Sequence, residues 1–280
     1  YNNSCKIYYV LIDHKLRKNS SIEAISVKKL LKKHKIKLNI IKNNKKITKN
    51  IQKEARNIRY DLLGSFCSRN KIKYILTAHH LNDQVETFFI RLSRGSGLDG
   101  LSSMKQISDI KNNIKIVRPL LDLKKNKLAK LSKKVFGKYY LDPSNNDKKY
   151  LRIRIRKLKK ILEKSGINYD QISKSIKNLA SSRDTLEVYF NEIYKDIVNR
   201  KKNKISINYK SLSSLNKEMK MRIFQRSIKD FTKAYYTPRS KKVLNLIDQI
   251  DNKKKARLTL GGCLVFKDQN HIILEKELKK

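Results

Sequence analysis

At 280 residues the chain is long for one average domain and sufficient for an α/β domain joined to a smaller partner. Its 68 Lys and Arg against 24 Asp and Glu give a formal charge of +44, which excludes an acidic or neutral surface and points to a polyanionic partner, nucleic acid first. No apolar run approaches the roughly 20 residues of a membrane-spanning helix. Cys5, Cys67 and Cys263 lie too far apart for a C-x-x-C pair, a disulfide framework or a four-thiolate zinc site, which fits a reducing, cytoplasmic setting. Lys, Asn and Ile are all overused, so a single lysine carries little weight and the total carries much.

Lys6 to Ile12 (KIYYVLI) is rich in β-branched and aromatic residues between polar flanks and reads as a buried strand. Ser20-x-x-Glu23 has capping-box spacing, and Ile22, Val27, Leu30 and Leu31 give the following helix an apolar stripe. Leu38 to Ile41 repeats the strand, and a helix starting near Asn50 carries Ile51, Ala55, Ile58, Leu62 and Phe66. Lys73 to Ala78 (KYILTA) is a third strand with a helix directly behind it. Such alternation predicts an α/β fold with a parallel sheet covered on both faces and ligands beyond the carboxyl ends of the strands. Asp13-His14 and His79-His80 stand at that edge.

Farther along, Lys115 to Leu121 (KIVRPLL) reads as an edge strand or extended segment because of its proline, and Leu123 to Phe136 as a Lys-rich amphipathic helix. Asp142-Pro-Ser-Asn-Asn-Asp147 is turn chemistry, and the domain boundary is expected there. Residues 1–147 would form the α/β domain and residues 148–280 a smaller, mainly helical one. The second part contains helices over roughly Lys148 to Lys164 and Tyr169 to Asn199, a strand at Lys204 to Asn208, two further helices and a hairpin-like end.

Leu76 to Met104, LTAHHLNDQVETFFIRLSRGSGLDGLSSM, concentrates the chemistry. His79, His80, Asp83 and Glu86 are all metal-ligand types. Asp83-x-x-Glu86 also has the spacing of a capping box, with Val85, Phe88, Phe89 and Leu92 as the apolar face of the helix it opens, and this reading outweighs a transition-metal site. Gly95-Ser-Gly97-Leu-Asp-Gly100 matches G-x-G-x-x-G but follows a helix, so it is not a dinucleotide fingerprint. It remains a Gly-rich turn behind Arg91 and Arg94, suited to an anion.

The segment LTAHHLNDQVETFFIRLSRGSGLDGL closely resembles one in the tRNA(Ile)-lysidine synthetases, members of the ATP-pyrophosphatase (PP-loop) superfamily with an adenine-nucleotide α-hydrolase-like fold. VLIDHKLRKNSSIEA (10–24), NIQKEARNIRYDLL (50–63), RPLL (118–121) and DPSNND (142–147) are similar to further family segments in the same order, through residue 156 or so, and LTLGGC (258–263) with the closing strand is a weaker match to the end of the family's tRNA-binding region, which implies that residues 148–280 form a helical linker and tRNA-binding domain. The family's S-G-G-x-D-S loop does not occur in these 280 residues, so the chain, starting at Tyr1, reads as N-terminally incomplete. Ile153 replaces the Asn of the family's R-N-x-I-R.

The resemblance implies a two-step reaction on the wobble cytidine of a CAU-anticodon isoleucine tRNA. ATP, with Mg²⁺, adenylates the C2 oxygen; the amine of free L-lysine then attacks C2 and displaces AMP. By similarity Asp13 and His14 frame the ATP site, and His79 and His80 border the nucleotide. Asp83 holds Mg²⁺ or the lysine amine, and Arg94, beside Gly95 and Gly97, neutralises phosphate. His79, His80, Asp83 and Arg94 are the catalytic candidates.

For tRNA, the charge comes from Arg118 and from Arg152, Arg154, Arg156, Lys157, Lys159 and Lys160. On a helix, residues 152, 156 and 159 or 160 share one face, which predicts a phosphate-tracking stripe. Tyr139, Tyr140, Tyr235 and Tyr236 are candidates for base stacking, with packing as the plainer role. Three alternatives stay open: an inactive tRNA-binding remnant, a related tRNA thiolase, and a metal-dependent hydrolase built on the histidines.

Overall fold

Strands alternate with helices from Tyr9 to Leu92 in the computed structural model, which describes residues 6–17, 19–48, 50–110, 113–140, 149–233, 237–252 and 256–277. The 142–147 turn, Tyr235 and Tyr236 lie outside these residues. The order is β1 (Tyr9–Asp13), α1 (Ser20–Lys33), β2 (Leu38–Lys42), α2 (Ile51–Arg69), β3 (Tyr74–Leu76), α3 (Leu81–Leu92), the short α4 (Leu98–Leu101), β4 (Ile107–Asp109), β5 (Lys115–Val117) and α5 (Lys125–Phe136). α6 (Leu151–Lys164) and α7 (Tyr169–Ile197) follow.

The pairing is parallel where strand–helix–strand alternation requires it. β1 pairs with β2 from Tyr9 opposite Leu38 to Asp13 opposite Lys42, and β3 pairs with β5 from Tyr74 opposite Lys115 to Leu76 opposite Val117. β4 adds antiparallel to β5, so the strands lie in a two-stranded and a three-stranded sheet. β5 is therefore central in its sheet, not the edge expected from its proline. Pro119 falls two residues beyond the strand, where its missing N–H costs the ladder nothing.

The expected capping box at Ser20 and Glu23 does not form. The Ser20 and Ser21 hydroxyls donate to Asp13 at 2.9 and 2.5 Å, and Glu23 accepts from both terminal nitrogens of Arg17. A buried carboxylate at the end of β1 competes for the serines and wins, because leaving it unsatisfied costs more than losing a cap.

The chain divides into two compact units, Tyr1–Ala180 and Ser181–Lys280. The division lies later than the boundary expected near residue 148. Tyr169, Ile172 and Ile176, at the start of α7, bury themselves against Leu81 and Val85 of α3, which ties that stretch to the first unit.

In the C-terminal unit β6 (Val198–Arg200), β7 (Lys204–Asn208), β8 (Ala256–Leu260), β9 (Cys263–Lys267) and β10 (His271–Lys276) form one antiparallel sheet in the order β6-β7-β10-β9-β8. α8 (Tyr209–Ser213), α9 (Lys217–Thr232) and α10 (Ser240–Asp251) pack on it. Ile223, Phe224, Val243, Ile205, Ile207 and Ile272 are fully buried in that core. The unit holds more sheet than the mainly helical domain expected: the strand expected at Lys204 to Asn208 and those of the hairpin-like end join in one sheet with β6, whose three residues carry too short a pattern to stand out.

Candidate active site at the strand ends

β3 ends in Thr77-Ala-His79-His80, and α3 begins immediately after it. His80 is the N-cap of α3: its Nδ1 accepts from the Asp83 N–H at 3.3 Å, and Asp83 Oδ2 accepts from the His80 N–H at 3.1 Å. The box thus lies three residues earlier than expected, with Asp83 at its far end and Glu86 outside it. Asp83 Oδ2 is also 3.3 Å from His80 Nδ1, but that nitrogen cannot donate to the carboxylate while accepting from the backbone, so the capped form has its proton on Nε2.

His79 Nδ1 shares a 2.8 Å hydrogen bond with the Thr77 hydroxyl. Burial pushes its pKa down to about 4, with Arg118, Arg56 and Arg152 adding to the effect and Asp83 opposing it. The ring is neutral at pH 7.

Glu86 faces inward from α3 and is 1 % exposed. Arg156 of α6 meets it with two hydrogen bonds of 2.7 and 3.0 Å, and Arg152 Nε lies 3.4 Å away. The hydrogen bonds to Glu86 raise the Arg156 pKa, against burial. Lys159 sits over the Tyr169 ring, 5.2 Å from its centroid. The stripe expected to track phosphates along 152, 156 and 159 therefore turns into the fold, and Arg154, Lys157 and Lys160 are the exposed cations of α6. The sequence held a signal for this: Glu86 lies beside Val85 on the apolar face of α3, and a carboxylate there requires a cationic partner.

At the end of β1, Asp13 is 3 % exposed, and both its oxygens are engaged by Ser20, Ser21 and the Lys15 N–H. Those hydrogen bonds hold its carboxyl below the usual range in spite of burial. His14 differs: both ring nitrogens are buried without a hydrogen-bond partner, and burial together with Arg59 lowers its pKa. Arg56 and Arg59 of α2, which A-R-x-x-R-Y places on one helix, add to the burial that lowers the pKa values of His79 and His14 respectively.

The glycine turn is bound to α3 through its backbone. Arg91 donates to the carbonyls of Gly100 and Ser103 at 2.7 and 2.9 Å, and Gln84 pairs with both backbone groups of Met104. Gly95 is left-handed at φ 66°, and a Cβ on Gly100 would lie 2.4 Å from that of Ser96, so these two positions require glycine. Gly97 meets no such limit. Arg94 is exposed, with no side-chain bond among the described residues.

Arg118, expected to meet tRNA, is 5 % exposed and donates to the Lys105 carbonyl and the Ser108 hydroxyl. A guanidinium so placed fastens β5 to the preceding segment and cannot lie along an RNA backbone. Among the described residues no group of three or more His, Cys, Asp or Glu is placed to hold a metal ion.

The arrangement brings cations and neutral imidazoles to the carboxyl ends of parallel strands. The PP-loop domain family matches residues 1–163. The chain belongs to the PP-loop family. The match begins at residue 1.

The PP-loop chain is 35 % identical over 272 residues to the tRNA(Ile)-lysidine synthase of Wolbachia pipientis wMel, covering 95 % of this chain and 62 % of that protein. It is 32 % identical over 273 residues to the enzyme of the same name from the Wolbachia of Brugia malayi (strain TRS), covering 96 % and 63 %. The chain therefore spans 62–63 % of the length of these two relatives. The tRNA(Ile)-lysidine synthase of Orientia tsutsugamushi (strain Boryong) is 42 % identical over 156 residues, 55 % of this chain and 35 % of that protein. Among solved structures, the U34-tRNA thiolase NcsA from Methanococcus maripaludis with its [4Fe-4S] cluster shares the fold, with a TM-score of 0.50 at 16 % identity over 61 % of this chain and 60 % of that one.

Proposed function

We propose that the chain is a tRNA(Ile)-lysidine synthetase, a carbon–nitrogen ligase that joins free lysine to C2 of the wobble cytidine in the CAU anticodon of an isoleucine tRNA. The observation that carries this reading is the 35 % identity with the Wolbachia pipientis enzyme over 95 % of the chain. ATP supplies the group that turns the C2 oxygen into a leaving group and departs as AMP and pyrophosphate.

The chain's own residues supply the surroundings. Arg56, Arg59 and Arg94 offer positive charge to phosphate oxygens, and the unpartnered nitrogens of His14 fit a polar ligand at the end of β1. Neutral His79, held by Thr77, can hydrogen-bond a base edge without bringing charge to it. Asp83 Oδ1, which makes no hydrogen bond among the described residues, is available to the lysine amine, whereas a hydrated Mg²⁺ would be held chiefly by phosphate oxygens.

A sulfur-transfer reaction has less support. Cys67 and Cys263 are buried free thiols, one in each unit, and burial raises both pKa values, that of Cys263 to about 11, which suppresses the thiolate. A cytoplasmic location suits such thiols, and among the described residues no helix is long and apolar enough to cross a membrane.

Incorporation of labelled lysine into CAU-anticodon isoleucine tRNA by the full-length protein, with and without ATP, tests the reading. ATP-dependent incorporation is expected, with Arg94→Ala slower by about a hundredfold. Binding of the tRNA with no incorporation overturns the ligase assignment, and undiminished incorporation by the variant removes Arg94 from it.

A further inference from the structure

Alternation along the strands gives the five-stranded sheet of the C-terminal unit two different faces. Ile205, Ile207, Val265, Ile272 and Leu274 point toward the helices and are buried in the core. On the opposite face a row runs straight across the sheet. Asn199 lies opposite Ser206, Ser206 opposite Ile273, Ile273 opposite Phe266, and Phe266 opposite Arg257. Ile273 and Phe266 take no part in the hydrophobic cluster beneath the sheet, and both are half-buried. The exposed Arg257 holds its guanidinium 5.2 Å from the centre of the Phe266 ring.

We propose that this open sheet face binds unpaired bases of RNA, with one base stacking on Phe266 and Arg257 serving both as a second stacking plane and as a phosphate contact. From Ser206 to Arg257 the row crosses four strands, about 14 Å. A central aromatic on an antiparallel sheet, flanked by an arginine and by amide and hydroxyl groups, matches the flat face and polar edges of a nucleobase. The exposed β6–β7 turn, Lys201-Lys202-Asn203-Lys204, adds cations at one end of the sheet, in a chain of formal charge +44. Against a protein partner, the apolar part of the face among the described residues consists of Leu264, Phe266 and Ile273, too little for the core of a stable interface. The inference rests on the proposed reaction only for the identity of the RNA, a tRNA.

These 280 residues contain no tryptophan, so Phe266→Trp in this chain installs a single tryptophan at the proposed stacking position. A short unstructured RNA is expected to quench that fluorescence, and the same sequence annealed to its complement to quench it far less. Phe266→Leu, which keeps an apolar side chain without a π face, is expected to weaken binding of the unstructured RNA about fivefold or more, and Phe266→Tyr to retain it. An unchanged thermal melt for Phe266→Leu separates lost stacking from lost folding.

Unaltered fluorescence at RNA concentrations that saturate a mobility shift overturns the proposal, as does wild-type affinity in Phe266→Leu or equal quenching by the duplex. Quenching in a protein that incorporates no lysine removes the proposed reaction and leaves this surface standing. Lysine incorporation without quenching does the reverse.

Discussion

His79 and Glu86 show how burial sets the behaviour of single residues. The folded-state pKa of His79, about 4, lies below the ordinary 6.5. Between those values the unfolded chain takes up a proton that the folded chain refuses, so the contribution of neutral His79 to stability is complete above pH 6.5 and is lost as pH falls toward 4. His79→Gln cannot titrate, and urea unfolding at a series of pH values is expected to show a shallower slope across that window. A slope equal to that of the wild type would remove His79 as its source. Glu86 poses the opposite case, a charge that stays buried because arginines meet it. Arg156→Met takes two hydrogen bonds from the buried carboxylate, leaving it the longer contact with Arg152, and is expected to cost about 3 kcal/mol in urea melts. Glu86→Gln should cost less, since the side chains of Arg156 and Arg152 are 29 % and 40 % exposed and can turn to water. Equal losses from the two substitutions would contradict this asymmetry.

At the scale of elements, α6 presents two kinds of cation. Arg152 and Arg156 satisfy Glu86, and Arg154, Lys157 and Lys160 face solvent. Replacing Lys157 and Lys160 by Ala is therefore expected to reduce the salt dependence of tRNA binding, by about 0.7–0.9 in the log–log slope for each phosphate no longer neutralised. Substituting Arg156 should lower stability and leave that slope nearly unchanged. Titrations at several salt concentrations distinguish the outcomes, and a slope insensitive to both lysines would show that α6 does not meet RNA. Helical spacing groups residues 152, 156 and 159 on one face but cannot say which way the face points, because an arginine reads the same whether it pairs with phosphate or with a buried acid. The helix starts behave alike: Ser20 and Asp83 read as polar helix-start residues, and their partners are decided by Asp13 and His80, which the strand ends bring near.

On the scale of the molecule, two units with separate cores are expected to unfold as two calorimetric transitions. Phe224→Ala, at a fully buried position in the C-terminal core, should lower one of them by the equivalent of about 3–5 kcal/mol and leave the other in place. A single transition shifting as a whole would mean that the units unfold together. The sequence by itself determined the alternation of strands and helices up to Leu92, the longer helices after it and the PP-loop relationship, because period and ordered motifs are local properties of a chain, whereas α4 and β4, four and three residues long, carry too short a pattern to be read. It also placed Asp13-His14 and His79-His80 at the carboxyl ends of β1 and β3. Only the tertiary structure decided that Arg118 is buried, that Arg156 belongs to Glu86, and that five short strands assemble into one sheet with an open face carrying Phe266. Arg156 and β7 meet partners, Glu86 and β10, that lie far away in the chain, and the free energy of burying or pairing such a group resides in that partner, not in its neighbours along the sequence.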